Sequence, residues 1–333
     1  MNSALLLLWL LREASTAPSF HRGRRFRRPE ERFPVPRVRE APTKVPSADS
    51  ISNHNGSALL SIRCFGGFEV SRSGQVVQDW RRSKARTLLK ILVDRRHPVP
   101  REIMIDLLWP EAEARAAGNN LRVTLHALRH ALTSPTSPTR TLGESVLIEG
   151  GNLQINPDIR IWIDVDEFSG RFQLGCQRER EGRFDDAIDE FERAEALYRD
   201  DYLVEDLYED WTQARREELK DQYLLIVTKL ADHCLVHGDL LGCILRCHKI
   251  LQRDACREDA YQRLMYAYAQ LGRPSQALHW YEVCLRTLRR ELDLGPSEQT
   301  VRLHGRILTR ELDVATVPGV SGSPITPSGS GLR

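Results

Sequence analysis

Apolar residues recur along this chain at two different periods. Leu60–Cys64 and Phe68–Val70 are short apolar runs separated by Gly66-Gly67, and they predict two strands. From Ser83 the spacing becomes helical. Leu88, Leu89, Ile91, Leu92 and Val93 mark a first helix, with Ser83 as its expected cap and Pro98 as its stop. A second helix starts near Pro100, carries Ile103, Leu107, Leu108 and Trp109, and ends before Pro110. A third runs from about Ala114 to Leu132. Val146–Ile155 then predicts a hairpin, with Gly150-Gly151-Asn152 as its turn. Strands, three helices and a hairpin, in that order, describe a helix-turn-helix with a wing. From about Asp166 to Leu312 the periodicity is helical nearly throughout.

The third helix has two unlike faces. At 100° per residue, Leu125, Leu128 and Leu132 fall within about 40° of Leu121, and the four form a buried stripe. Asn119, Val123, His126 and His130 lie on the other side, flanked by Arg122 and Arg129, and no acidic residue occurs between Arg115 and Leu132. Asn, His and Arg offer donors to base edges and phosphates, and Val123 can meet a thymine methyl. The helix alone reads equally well as a solvated face. The preceding helices and the hairpin favour DNA, because such a helix enters the major groove while the wing meets the backbone. Arg81, Arg82, Lys84 and Arg86, at the start of the first helix, are candidate phosphate contacts. They oppose the helix dipole, although simple solvated charge accounts for them as well.

The helical half contains a repeat. Gly182, Gly238 and Gly272 precede RFDDAIDEF, DLLGCILRC and RPSQALHWY. Five residues past each glycine stands a small residue, Ala187, Cys243 or Ala277. Four further on stands Phe191, Cys247 or Tyr281. The last two glycines are 34 residues apart, the tetratricopeptide period, whereas the first two are 56 apart. The excess leaves room for an insert, DDYLVEDLYEDW, ahead of a helix expected over Thr212–His237. Stacked helix pairs of this kind bind partners rather than perform chemistry. Tyr261, Tyr266, Tyr268, Trp280 and Tyr281 are read mainly as core.

Charge sharpens this division. The whole chain of 333 residues carries a net +2, but residues 1–60 hold 10 Lys/Arg against 5 Asp/Glu and residues 61–157 hold 14 against 9, whereas residues 158–314 hold 23 against 32. A basic front half suits a polyanion that the acidic back half would repel. Seven cysteines without a CxxC point to a reducing compartment. Cys243, Cys247 and His248 read as buried packing rather than a metal site, so no metal and no cofactor is expected. Residues 12–58 are rich in Pro, Arg and Ser, with a basic run at Arg22–Arg28, and 315–333 is a Pro/Gly/Ser tail; both are expected to be disordered. Ala4–Leu11 is apolar but too short to span a bilayer, and no basic residue precedes it as a signal peptide requires. A start codon assigned too early is one reading of it. No HExxH, GxSxG or P-loop occurs, and Asp185-Asp186 and Asp200-Asp201 read as solubilising pairs, so an enzyme is not expected.

Taken together, SKARTLLKILVDRRHPVPREIMIDLLWPEA and NNLRVTLHALRHAL, followed by GRFDDAIDEFERAEALYRDDYL, EDWTQARREEL, EDAYQRLMYAYAQLGRPSQALHWYE and LRRELDLGPSEQT, resemble the Streptomyces antibiotic regulatory protein family. That family joins a winged helix of response-regulator type to a bacterial transcriptional activator domain of tetratricopeptide-like helices, and the resemblance spans about 60–312. It implies a mainly α protein: a disordered basic segment at 1–58, a winged helix-turn-helix (α+β) at 59–164, an all-α repeat domain at 165–312 and a tail at 313–333. It also implies a cytoplasmic activator that binds repeated sites in double-stranded promoter DNA, self-associates there and recruits RNA polymerase, with no membrane partner. Carried over, Ala114–Leu132 is the recognition helix, Val146–Ile155 the wing, and Asn119, Arg122, His126 and Arg129 the DNA contacts. Ala127 departs from the basic residue many relatives have there. The P-loop ATPase module of larger relatives is absent. The competing expectation is a tetratricopeptide adaptor whose winged helix meets protein.

Overall fold

The computed structural model describes residues 60–72, 74–132 and 145–311; the expected disorder of the N-terminal segment and of the tail, the Arg22–Arg28 run and the apolar Ala4–Leu11 stretch all lie outside them. Strand β1 (Leu60–Arg63) pairs antiparallel with β2 (Glu69–Arg72), with Ile62 opposite Val70. Strand β3 (Gln75–Val76) extends the sheet beyond β2. Its other edge is β7 (Ile161–Ile163), parallel to β1 in the register Leu60↔Ile161. This four-stranded sheet, ordered β3-β2-β1-β7, carries two strands that the sequence pattern does not announce.

Helix α1 (Ser83–Arg95) buries Leu88, Leu89, Ile91, Leu92 and Val93. Ser83 is not its cap. Arg82 holds the extended capping conformation without a side-chain bond, and Ser83 is already helical. The helix ends at Arg96, whose φ of 58° lets its N–H return to the Leu92 carbonyl, two residues ahead of Pro98. Strand β4 (Val99–Pro100) leads into α2 (Arg101–Leu108), and α3 (Ala114–Leu132) follows with the bounds the pattern predicts. Leu121, Leu125, Leu128 and Leu132 are buried, as the wheel requires.

The hairpin consists of β5 (Val146–Glu149) and β6 (Asn152–Ile155), and β4 joins it to form a second sheet ordered β4-β6-β5. Its turn is shorter than expected. Only Gly150 and Gly151 lie in it, with φ of 56° and 85°, while Asn152 is already paired to Glu149 in the ladder. Positive φ at both central residues matches the right-handed twist of the strands.

The helical half comprises α4 (Asp164–Arg180), α5 (Phe184–Leu197), α6 (Asp210–Val236), α7 (Leu240–Arg253), α8 (Glu258–Gln270), α9 (Pro274–Leu292) and α10 (Glu298–Thr309). The three repeat glycines close the α4–α5, α6–α7 and α8–α9 pairs by one device. At Gly238, φ is 76°, its N–H meets the Leu235 carbonyl at 3.2 Å, and the next N–H, of Asp239, meets the Cys234 carbonyl at 2.8 Å. This is the double bond of a Schellman stop. Gly182 and Gly272 repeat it through Arg183 to Arg178 and Arg273 to Tyr268. Ala187, Cys243 and Ala277 are buried where the paired helices approach, and Phe191 and Cys247 fill the space beside them. Tyr281 is only partly buried and stacks on His304, with centroids 3.9 Å apart.

The insert joins the two halves. It contains a short 3-10 turn at Val204–Asp206 and packs on the first sheet. Leu203 N–H donates to the Cys64 carbonyl at 2.9 Å, and Gly66 N–H to the Asp201 carbonyl at 3.1 Å. Buried Arg216 on α6 holds the insert in shape, donating to the carbonyls of Tyr202, Leu203 and Asp206. Phe65 sits 5.1 Å from Phe168 and 4.6 Å from Tyr198, ring to ring. One buried core therefore runs from Leu60 to Ile307, with Tyr261, Cys284 and Leu288 forming a small second cluster.

Candidate nucleic-acid interface

Helix α3 presents Asn119, Arg122, Val123, His126 and His130 to solvent, with Val123 37% exposed. Arg115 belongs with them, because 115, 119, 122 and 126 follow helical spacing along one exposed stripe. Arg115 and Arg101 are the members that sequence reasoning missed. For Arg115 the signal was present in the spacing of 4, 3 and 4 residues; for Arg101 it was not, because Arg101 stands on another helix. An open concavity of about 710 Å³ is lined by Arg101, Arg115, Asn119 and Arg122, and also by Glu113.

Arginines fix the wing against this helix. The Arg101 N–H donates to the Gly151 carbonyl at the wing turn, 3.0 Å away, and its Nη2 donates to the Gly118 carbonyl on α3 at 3.2 Å. At the other end of α3, Arg129 is half-buried and its Nη2 donates to the Val146 carbonyl of β5 at 3.0 Å. Arg129 thus positions the wing. Ala127, at the departure from the family pattern, is buried and faces the core.

The basic residues before α1 divide into two groups. Arg82 and Lys84 are exposed. Arg81, with φ of 51°, reaches across to α3, its Nη2 2.8 Å from His130 Nε2. Arg86 is otherwise engaged. It donates to the Phe68 carbonyl and lies 2.8 Å from Glu205 of the insert. Beside it Lys90, almost fully buried, contacts Glu205 at 3.0 Å and Asp206 at 2.5 Å. Burial pushes the Glu205 carboxyl up, but hydrogen bonds from Lys90 and Arg86 outweigh it and hold it below the usual carboxylate range. Asp164, at the start of α4, lies at the same junction and accepts the N–H groups of Cys64, Phe65 and Val165. Burial raises it to about 6 against the pull of those bonds.

Among the described residues no group of His, Cys, Asp and Glu is arranged to hold a metal, and no helix is long and apolar enough to cross a membrane. Cys243 and Cys247 are buried, with their sulfurs 3.9 Å apart.

Residues 163–308 match the Bacterial transcriptional activator domain. Over 269 residues the chain is 21% identical to the transcriptional regulatory protein MoaR1 of Mycobacterium tuberculosis, covering 81% of this chain and 85% of the relative. The MoaR1 protein of Mycobacterium bovis matches to the same extent. In fold, the chain is similar to Mycobacterium tuberculosis EmbR, solved in complex with a low affinity phosphopeptide, with a TM-score of 0.62 at 22% identity, covering 77% of this chain and 67% of that one. With a winged helix leading directly into this activator domain, and with similarity to MoaR1 over most of its length, the chain is similar to transcriptional regulators of the Streptomyces antibiotic regulatory protein family.

Proposed function

We propose that the chain reads sequence in double-stranded promoter DNA with α3 and activates transcription there. The observation that carries this reading is the exposed, acid-free stripe of Arg115, Asn119, Arg122 and His126, with a glycine-tipped wing pinned beside it through Arg101. A helix of this width fits the major groove, where Asn119 and Arg122 address base edges while Arg82, Lys84 and the wing backbone at Gly150 and Gly151 address phosphates. Arg86, tied to Glu205, and Arg129, tied to Val146, serve position rather than contact. One winged helix spans few base pairs, so the protein self-associates on repeated sites, and the domain at 163–308 recruits RNA polymerase.

The test is selection of bound fragments from genomic double-stranded DNA by the full chain, with Arg122→Ala in parallel. A motif recovered by the wild type and lost in the variant supports base reading. No enrichment by a folded wild type overturns it and favours the adaptor.

A further inference from the structure

The face of the first sheet beside the insert contains an open concavity that the DNA reading does not use. It measures about 620 Å³, within the range of small-molecule sites. Its apolar wall is Phe68, Val70, Val76 and Trp80, the Phe68 and Trp80 rings lying 6.4 Å apart at 45°. Three guanidinium groups line it: Arg63 on β1, Arg86 on α1 and Arg199 from the helical half. Among the described residues the only carboxylate in the lining is Glu69, which holds Arg63 by a long contact of 3.5 Å. Arg86 lies over Phe68 at 5.6 Å and is partly neutralised by Glu205. Arg199 is exposed and forms no ion pair among the described residues. The lining thus combines an apolar wall, with Trp80 and Val76 its accessible members, with an excess of positive charge.

We propose that this concavity is an effector site for a small organic anion with a flat apolar body, its acidic group held by Arg199 and Arg63 and its ring laid against Trp80 and Val76. Its walls come from both halves of the chain, so occupancy bears on how the insert sits against α1. It also reaches the recognition helix by a short route. Trp80 is followed by Arg81, held at a φ of 51° by its N–H bond to Asp79 at 2.9 Å, and the Arg81 side chain contacts His130 of α3. A ligand leaning on Trp80 therefore acts on the backbone that positions Arg81. The effector role rests on the DNA-binding reading; occupancy of the cavity does not.

Isothermal titration of the full chain with naphthalene-1-sulfonate tests the site, with 1-naphthalenemethanol as the neutral counterpart. The expected result is saturable binding of the sulfonate, no measurable binding of the alcohol, and a loss of about tenfold or more in Arg199→Glu. Arg199 is a surface side chain, so this variant keeps the fold, and Trp80→Leu supplies a second, apolar arm with the same expected loss. Absence of sulfonate binding, equal binding of the alcohol, or binding indifferent to both substitutions overturns the proposal. The effector role is tested separately on a DNA site already shown to bind. A shift in DNA affinity on adding naphthalene-1-sulfonate, absent in Arg199→Glu, is expected, and unchanged affinity at saturation overturns that role.

Discussion

The guanidinium of Arg101 donates to the main-chain carbonyl of Gly118, 3.2 Å away, while the main chain of the same residue holds the wing turn at Gly151. One residue thus sets the distance between the two elements proposed to grip DNA. Gly118 has room for this bond because it lacks a side chain: a Cβ there would stand 3.1 Å from Arg101 Nη2. Gly118→Ala gives the helix about 0.5–1 kcal/mol of propensity and displaces the guanidinium. The expected outcome is a protein at least as stable to urea that binds DNA more weakly. Unchanged affinity would show that the Arg101 bond does not position the wing.

Arg122 and Arg86 separate contact from positioning. Arg122 is exposed on α3, whereas Arg86 is tied to Glu205 and the Phe68 carbonyl. Arg122→Ala is expected to weaken DNA binding by about 1–3 kcal/mol and to relax its sequence preference, whereas Lys84→Ala, at a proposed phosphate contact, is expected to lower the slope of log affinity against log salt by about 1. Arg86→Ala is expected to leave that slope unchanged and to lower the unfolding midpoint. A reduced slope in Arg86→Ala would return it to the phosphate contacts.

The junction has its own signature in Lys90. Its ammonium is nearly inaccessible and faces two carboxylates, Glu205 and Asp206. Removing the ammonium leaves Asp206 mostly buried without its cation, while Glu205 keeps Arg86 and a share of solvent. Lys90→Met is expected to cost about 2 kcal/mol in urea unfolding, with amide exchange rising first in 201–206. A loss below about 1 kcal/mol, or no change in exchange there, would mean the latch is solvated in solution.

What the sequence disclosed and what it hid follow from the range of the interactions. Helix α3 was legible to its ends because Leu121, Leu125, Leu128 and Leu132 repeat locally, and the repeat glycines were legible because each stop is built within six residues. Strand β3 is two residues long and pairs locally with β2, too short to show as a pattern, whereas β4 and β7 are two or three residues long and exist through partners elsewhere; Ile161 pairs with Leu60, about a hundred positions away. The same holds in the site. The stripe on α3 could be drawn on a wheel, but the proposed positioning role of Arg86 depends on Glu205, which only the folded insert brings to it. Ser83 shows the opposite error. A good capping residue one position too late is simply the first residue of the helix.

The buried imidazole of His248 makes the repeat domain sensitive to acid. It lies edge-on to Trp280, 5.1 Å between centroids, and burial alone lowers it from 6.5 to about 4. Between those values the unfolded chain binds a proton that the folded chain refuses, so unfolding gains free energy as the pH falls. The contribution of neutral His248 is therefore complete above about pH 6.5 and is lost progressively toward pH 4, for a total of about 3 kcal/mol. Phenylalanine at 248 cannot take up the proton in either state. Whatever His248→Phe costs at pH 7.5, that cost should shrink or reverse at pH 4.5, as read from urea midpoints of the two proteins. Parallel stability curves would mean that His248 titrates alike in the folded and unfolded chains and is not held neutral by its surroundings.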